Sequence, residues 1–167
     1  MLHVYSLADY QITIGISEEF AKTYNLKDGD ETLKGYQIGG PGADGTGSFV
    51  GRIQVERAED AWTTVGDKTG SWVHNRSRNK VGRITLELNQ ISDQTIDLYH
   101  LCQFYDDLEN TYEGLTITIN AANQEQETTL VKAIDCYVVK QADYPMSETA
   151  SNLTWVFTCG QIEYFSE

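Results

Sequence analysis

Three cysteines carry the most reactive side chains of the sequence, and their spacing limits the chemistry that they can do. Cys102, Cys136 and Cys159 are 34 and 23 residues apart, which matches neither a C-x-x-C redox pair nor the paired short spacings of a zinc site. His100 and Cys102 form only a local H-x-C. We expect reduced thiols and no bound metal, and whether any cysteine forms a disulfide stays open at this stage.

Other motifs of catalysis are missing from the sequence. It contains neither G-x-S-x-G nor H-E-x-x-H, the signatures of a serine hydrolase and a zinc protease. The segment GGPGADGTG, residues 39–47, has the glycine content of a phosphate-binding loop but lacks the Lys-Ser/Thr that would follow. Paired carboxylates such as Glu59 and Asp60 are common in any acidic chain. The sequence therefore predicts no enzymatic activity and no cofactor.

The net charge argues against some classes of binding partner. The chain has 167 residues, with 12 basic and 25 acidic side chains and a formal charge of −13. Such a surface repels phosphates, so neither tight nucleic-acid binding nor binding to an anionic membrane is expected. The start of the chain has no basic segment and no long apolar stretch, which predicts no secretory signal.

The charge is also unevenly distributed. The formal net charge is −4 over residues 1–50, +2 over residues 51–90 and −11 over residues 91–167. One interpretation is a set of solvated loops around a single basic turn. The other is a protein with patches of opposite sign that suit self-assembly.

Alternating apolar residues predict the elements that must position these side chains. Strands are expected at residues 10–16, 49–57, 83–91, 115–119, 129–140 and 152–165, with a strand–turn–strand unit near 62–74. A long helix is expected over 92–109, with Ser92 as N-cap and Cys102 on its apolar face. The Asp-Gly of residues 28–29 suits a hairpin turn. The predicted fold class is mainly β, a sandwich or barrel of about seven strands with one long helix packed across it.

Residues 51–102 carry an ordered series of motifs that resembles the tail tube proteins of contractile-tailed bacteriophages (myoviruses). The series is a strand I-x-V-x-R followed by E-D-x-W-T, then G-D-x-x-G, an asparagine-containing turn, a T-L-x-L strand and Q-x-S at the start of a helix. The matching residues are Ile53, Val55, Arg57, Glu59, Asp60, Trp62, Thr63, Gly66, Asp67, Gly70, Asn75, Thr85, Leu86, Leu88, Gln90 and Ser92. The resemblance implies one tail-tube-like domain over residues 1–167, with an inserted acidic and glycine-rich segment at about 17–47.

The resemblance also implies a structural function. Proteins of this kind form hexameric rings that stack into a hollow tube inside a contractile sheath, and the tube conducts genomic DNA during ejection. The implied partners are further copies of the chain and the sheath, baseplate, tape-measure and tail-terminator proteins, with DNA passing through without tight binding and no membrane involved. The implied location is the virion tail, assembled in the host cytoplasm.

Two sets of residues are predicted to serve such an assembly. Contacts between subunits or rings are expected from the glycine-rich loop and the basic turn, namely Gly39, Gly40, Pro41, Gly42, Asp44, Gly45, Gly47, Arg76, Arg78, Lys80 and Arg83. Acids facing the lumen are expected to be Glu87, Glu113, Glu125 and Glu127. A ring of six copies would have a formal net charge of −78. A lumen lined with carboxylates would repel DNA and let it slide.

Alternative functions stay open at this stage. A secretion-system tube, a tail terminator or a baseplate component would share the fold. A β-sandwich binding module is a further alternative, since exposed Trp62 and Trp72 would suit stacking on sugars.

Overall fold

A computed structural model of the chain describes residues 10–15, 27–28, 31–32, 36–39, 50–91, 93–106, 114–121 and 128–164. Within these ranges the chain forms eleven strands and one helix. They are β1 (Tyr10–Gly15), β2 (Lys27–Asp28), β3 (Glu31–Thr32), β4 (Tyr36–Gly39), β5 (Val50–Arg57), β6 (Trp62–Gly66), β7 (Trp72–Arg76), β8 (Gly82–Asn89), α1 (Asp93–Asp106), β9 (Leu115–Ala121), β10 (Thr128–Lys140) and β11 (Asn152–Tyr164).

Seven of the strands form one antiparallel sheet that curves into a half-barrel, in the order β4-β1-β9-β10-β11-β8-β5. Apolar side chains alternate with polar ones along each central strand, so one face of the sheet is buried. In β8 the buried members are Ile84, Leu86 and Leu88, and Leu86 lies opposite the buried Trp155 of β11. The outermost strands, β4 and β5, leave one edge each without a partner in the described part of the chain.

Helix α1 covers the buried face of the sheet. Its contact stripe is Thr95, Leu98, Leu101 and Phe104, which recur at a spacing of three and are all buried. The Thr95 hydroxyl donates to the Asn89 carbonyl at 2.9 Å, which ties the helix start to the end of β8. The predicted fold class, mainly β with a helix across it, is confirmed.

The strands of the structure agree closely with the predicted strands. Six of the predicted strands are present within a few residues of their expected ends, and β2 and β3 pair around the Asp-Gly as a hairpin. The four-residue strand β4 was not expected. Most of the glycine-rich loop and the predicted helix ends at Ser92 and 107–109 lie outside the described residues. No helix in the described part is long and apolar enough to cross a membrane.

Candidate functional site

Strands β6 and β7 form a hairpin that is a separate two-stranded sheet in the described part of the chain. Among the described residues they pair only with each other, from Trp62 opposite Arg76 to Gly66 opposite Trp72, and every residue of both strands is exposed. Two-stranded hairpins with both faces in water are marginally stable on their own. This hairpin therefore depends on its turn and on its attachment to the sheet.

The turn of the hairpin is held by the carboxylate of Asp67. Its Oδ1 accepts from the Thr69 amide at 2.8 Å, the Thr69 hydroxyl at 2.6 Å and the Ser71 amide at 3.0 Å. Gly70 takes a positive φ of 86°, a conformation that side-chain-bearing residues avoid. These bonds, the Thr69 hydroxyl first, lower the pKa of Asp67. The tip of the hairpin is thus pre-formed.

The hairpin carries apolar side chains on both of its faces. Directly opposite residues of a ribbon share a face, so Trp62 and Trp72 lie on one face while Val65 and Val73 lie on the other. All four are between 58% and 67% exposed. On the tryptophan face the Arg76 guanidinium stacks 5.7 Å from the Trp62 ring centre, and Thr64 bonds His74 at 2.8 Å.

The base of the hairpin is bonded to the edge of the sheet. The Ala58 amide donates to the Val81 carbonyl at 2.9 Å, and the Ser77 amide donates to the Ala61 carbonyl at 2.8 Å. The Ser77 hydroxyl also donates to Glu59 Oε2 at 3.2 Å. The segments entering and leaving the hairpin are therefore paired with each other.

The four predicted basic contact residues lie on different elements. Arg76 ends β7, Arg78 and Lys80 lie in the link to β8, and Arg83 is in β8 opposite Glu56. Lys80 forms an ion pair with Glu163 at 3.4 Å. Arg78 is exposed and has no ion-pair partner among the described residues.

The predicted lumen residue Glu87 lies on the face of the sheet that the helix does not cover. It forms an ion pair with Arg52 of β5 at 3.8 Å, and Lys132 lies opposite Glu163 on the same face. Between these charges the face consists largely of threonines, namely Thr13, Thr85, Thr116, Thr118, Thr154 and Thr158. The described part of this face is therefore polar with compensated charges. The other predicted lumen residues, Glu113, Glu125 and Glu127, lie outside the described residues.

The predicted contact residues of the glycine-rich loop are also mostly undescribed. Gly39 ends β4 opposite Gln11 of β1. Gly40, Pro41, Gly42, Asp44, Gly45 and Gly47 lie outside the described residues.

A second exposed apolar surface lies on the segment between β10 and β11, residues 141–151. Tyr144 and Met146, with the adjacent Val139, are 47% to 89% exposed. A cleft of about 490 Å³ opens between this segment and β11, lined by Val139, Pro145 and Val156 together with Arg83, Lys140 and Asp143. Lys140 forms an ion pair with Asp143 at 3.6 Å. Tyr and Met in an irregular stretch have no periodicity that would identify this surface from the sequence.

The 141–151 segment is held in place at both ends. Near its start, the Tyr99 hydroxyl of α1 donates to the Ala142 carbonyl at 2.5 Å, and the Tyr99 ring packs edge-on against Tyr144 at 6.1 Å. At its end, the Ser151 amide donates to the Gln90 side chain at 2.9 Å and the Gln90 amide to the Ser151 carbonyl at 3.0 Å. The surface is therefore anchored to the end of β8 and to the helix.

Two of the cysteines lie in the core, and Cys102 is half buried against it. Cys136 and Cys159 are buried and directly opposite each other on β10 and β11. A hydrogen bond between the two thiols, together with burial, raises the pKa of Cys136, and the same hydrogen bond lowers the pKa of Cys159. Burial raises the pKa of Cys102 to about 11, and thiols with a raised pKa are poor nucleophiles. The described residues contain no cluster of three or more His, Cys, Asp or Glu side chains that could hold a metal ion.

Comparison with known proteins gives a family and a fold. A family model described as "Bacteriophage PhiTE tail tube protein" matches residues 21–165. A similar solved structure is a chain from an extracellular contractile injection system, "PVC sheath/tube terminator in extended state", with a TM-score of 0.56 and 12% identity over 98% of this chain and 97% of that one. A chain from the anti-feeding prophage cap, a tube-terminating cap, has a TM-score of 0.48 and 12% identity over 98% and 91%. No curated protein gives a significant sequence match.

Proposed function

Because this chain belongs to the bacteriophage PhiTE tail tube protein family, we propose that it is a structural subunit of a phage tail tube, forming hexameric rings that stack inside a contractile sheath. The observation that carries the proposal is the family match, which spans 145 of the 167 residues. It confirms the resemblance that the motifs of residues 51–102 indicate. In this function the chain is one tail-tube domain and catalyses no reaction.

The open edges of the sheet support ring formation. Strand β5 has eight residues, most of them exposed, and within the described residues it pairs on one side only, with β8. A long exposed edge strand is a hazard for aggregation unless another strand covers it. Pairing of β5 with the β4 edge of the next subunit would continue the half-barrel around a ring, since each subunit contributes one edge of each kind.

The uncovered face of the sheet supports passage of DNA. Closing half-barrels into a ring would direct one face of every sheet toward the lumen, and the helix occupies the other face. The face bearing Glu87 offers threonine hydroxyls and paired charges, so it lacks the excess of cations that holds phosphates. Together with the overall charge of −13 per chain, this surface would let DNA slide without binding.

The remaining partners follow from the same function. Outside the ring the chain would contact the sheath protein, and at the ends of the tube the baseplate, tape-measure and terminator proteins. The completed assembly would form in the host cytoplasm and reside in the virion tail. The inserted segment at about 17–47, with its glycine-rich loop, would add contacts between stacked rings.

A tail terminator is the second candidate, because the similar solved structure named above is a sheath/tube terminator. The two functions predict different products. A tube subunit polymerises without limit, whereas a terminator closes as a single ring that caps a tube.

Negative-stain electron microscopy of the purified protein, over a wide range of concentrations, tests both. Hexameric rings that stack into long tubes support the tube subunit. Single rings that never stack, even when concentrated, support the terminator. A chain that stays monomeric throughout, as measured by light scattering, contradicts the whole proposal.

A further inference from the structure

Cys136 and Cys159 form a pair of facing thiols in the core of the sheet. They lie directly opposite each other on the antiparallel strands β10 and β11, and each is at most 1% exposed. Directly opposite residues of an antiparallel pair have Cα atoms about 4.5–5.5 Å apart, which lies within the range of about 4.4–6.8 Å that a disulfide spans. Both thiols are free in this structure, so the backbone geometry of a disulfide is present while the thiols are reduced.

A bulge in β10 turns Cys136 toward its partner. The pairing of β10 with β9 shifts register between Ala133 and Cys136, and Asp135 takes a left-handed φ of 58° there. Strict alternation from the buried Ala133 would place residue 135 inside and residue 136 outside. Because a bulge re-aims the side chains that follow it, Cys136 lies on the same buried face as Cys159.

The two thiols are bonded to each other. The Cys159 thiol donates to the Phe157 carbonyl at 4.0 Å, and its sulfur accepts from the Cys136 thiol. That bond lowers the pKa of Cys159 and, together with burial, raises the pKa of Cys136. Since the thiolate is the reactive form, Cys159 is the sulfur that reacts first.

We propose that Cys136 and Cys159 are a redox-sensitive pair, which a peroxide converts into an intramolecular disulfide that joins β10 to β11 and stabilises the subunit. The bond would close a loop that contains the 141–151 segment, whose ends lie on these two strands. The inference goes beyond the proposed function, because the pair lies within one subunit and needs no ring.

The reaction takes place in two steps with hydrogen peroxide as the oxidant. The Cys159 thiolate displaces hydroxide from the peroxide and becomes a sulfenic acid, and the hydroxide takes up the thiol proton to give water. The Cys136 sulfur then attacks the Cys159 sulfur, and the sulfenic hydroxyl leaves with the Cys136 proton as a second water. The two cysteines lose two electrons together, and one peroxide becomes two waters.

Cys102 is the internal comparison for this chemistry. It lies on α1 rather than on either strand, so the sheet gives it no opposite thiol. Burial raises its pKa to about 11, which disfavours the thiolate. Peroxide should therefore leave Cys102 unlinked while it joins the strand pair.

Tryptic peptide mapping tests the pairing in the purified native chain. The positions of Lys and Arg place the three cysteines in three separate peptides, 84–132, 133–140 and 141–167. After treatment with hydrogen peroxide, removal of the peroxide and alkylation in denaturant, mass spectrometry should find 133–140 joined to 141–167, two hydrogens lighter than their sum. Peptide 84–132 should be alkylated, and the chain should run as a monomer on a non-reducing gel. Alkylation of all three cysteines, a link through 84–132 or a covalent dimer would overturn the proposal.

Thermal unfolding measures what the bond does. The oxidised chain should melt about 5–15 °C higher than the reduced chain, because the disulfide restricts the unfolded state, and dithiothreitol should reverse the shift. Cys136→Ala should abolish both the link and the shift, whereas Cys102→Ala, the matched control, should keep both. A linked chain that melts no higher than the reduced one contradicts the stabilising role. The peptide map of the unsubstituted chain decides the pairing even where Cys136→Ala does not fold.

Discussion

Gly82, the first residue of β8, has no room for a side chain between β5 and Ile162. A Cβ at this position would clash with the Glu56 carbonyl oxygen and lie 2.5 Å from Ile162 Cδ1. We predict that Gly82→Ala lowers the free energy of unfolding by about 1–3 kcal/mol, the cost of overpacking. Urea denaturation measures it. Gly66→Ala is the matched control, since its nearest neighbour would be 3.9 Å away, and equal losses in the two variants would contradict the argument.

Asp67 gives the hairpin turn a dependence on pH. Hydrogen bonds from Thr69 and Ser71 lower its pKa in the folded protein, so the carboxylate stabilises the turn above the ordinary aspartate pKa. That contribution is lost as the pH falls through the lowered value. NMR of the Thr69 and Ser71 amides should therefore show the turn loosening only in acid. Asp67→Asn keeps an acceptor but no titrating group, and a persisting acid transition in that variant would assign the effect elsewhere.

At the scale of elements, Tyr99 connects α1 to the 141–151 segment. Its hydroxyl donates to the Ala142 carbonyl at 2.5 Å. Tyr99→Phe removes that donor and should lower the free energy of unfolding by about 1 kcal/mol, while faster hydrogen exchange in the segment reports its loosening. Tyr144→Phe is the control, because the Tyr144 side chain is 47% exposed and its ring alone contacts Tyr99. If both variants unfold alike, the hydroxyl does not anchor the segment.

Elements with one buried face could be predicted from the sequence. In β8 the alternation of Ile84, Leu86 and Leu88 against polar residues identifies strand and core face together. The helix was also expected, but its buried face differs from the predicted one. Phe104 is buried, whereas Cys102 and Tyr105 are only half buried. Small rotations of a helix on a sheet depend on the packing of its partner strands, which sequence periodicity does not contain.

The hairpin shows the limit of such reasoning. The sequence indicates a strand–turn–strand unit at Trp62 and Trp72, and the Asp67 turn supports it. Apolar residues in a strand normally predict burial in the chain's own core, yet these side chains are exposed. Whether an apolar strand residue faces its own core or a neighbouring molecule is decided by tertiary structure. The same holds for Tyr144 and Met146 on the 141–151 segment.

At the scale of the whole molecule, the net charge of −13 conceals an uneven distribution, with +2 over residues 51–90 and −11 over residues 91–167. Part of that charge is paired within one subunit, since Lys140 pairs with Asp143 at 3.6 Å and Lys80 pairs with Glu163 at 3.4 Å. On the described uncovered face of the sheet, charges also lie in pairs such as Arg52 with Glu87. The remaining charges suit attraction between copies of the chain, while the uncovered face has little net attraction for DNA.

A charge swap distinguishes pairing of individual charges between copies of the chain from an effect of net charge. Arg78 and Glu148 are exposed and have no ion-pair partner among the described residues. Arg78→Glu alone should weaken assembly, because it removes a cation that can meet Glu148 of a neighbouring copy, and Glu148→Arg alone should weaken it for the corresponding reason. The doubly substituted chain keeps the native net charge of −13 and should recover most of the assembly. Each exposed pair contributes only about 0.2–1 kcal/mol, but a ring presents several pairs at once, so the critical concentration for tubes, measured by sedimentation at low salt, should shift severalfold. If the double variant assembles no better than the single ones, pairing of these two charges does not drive assembly.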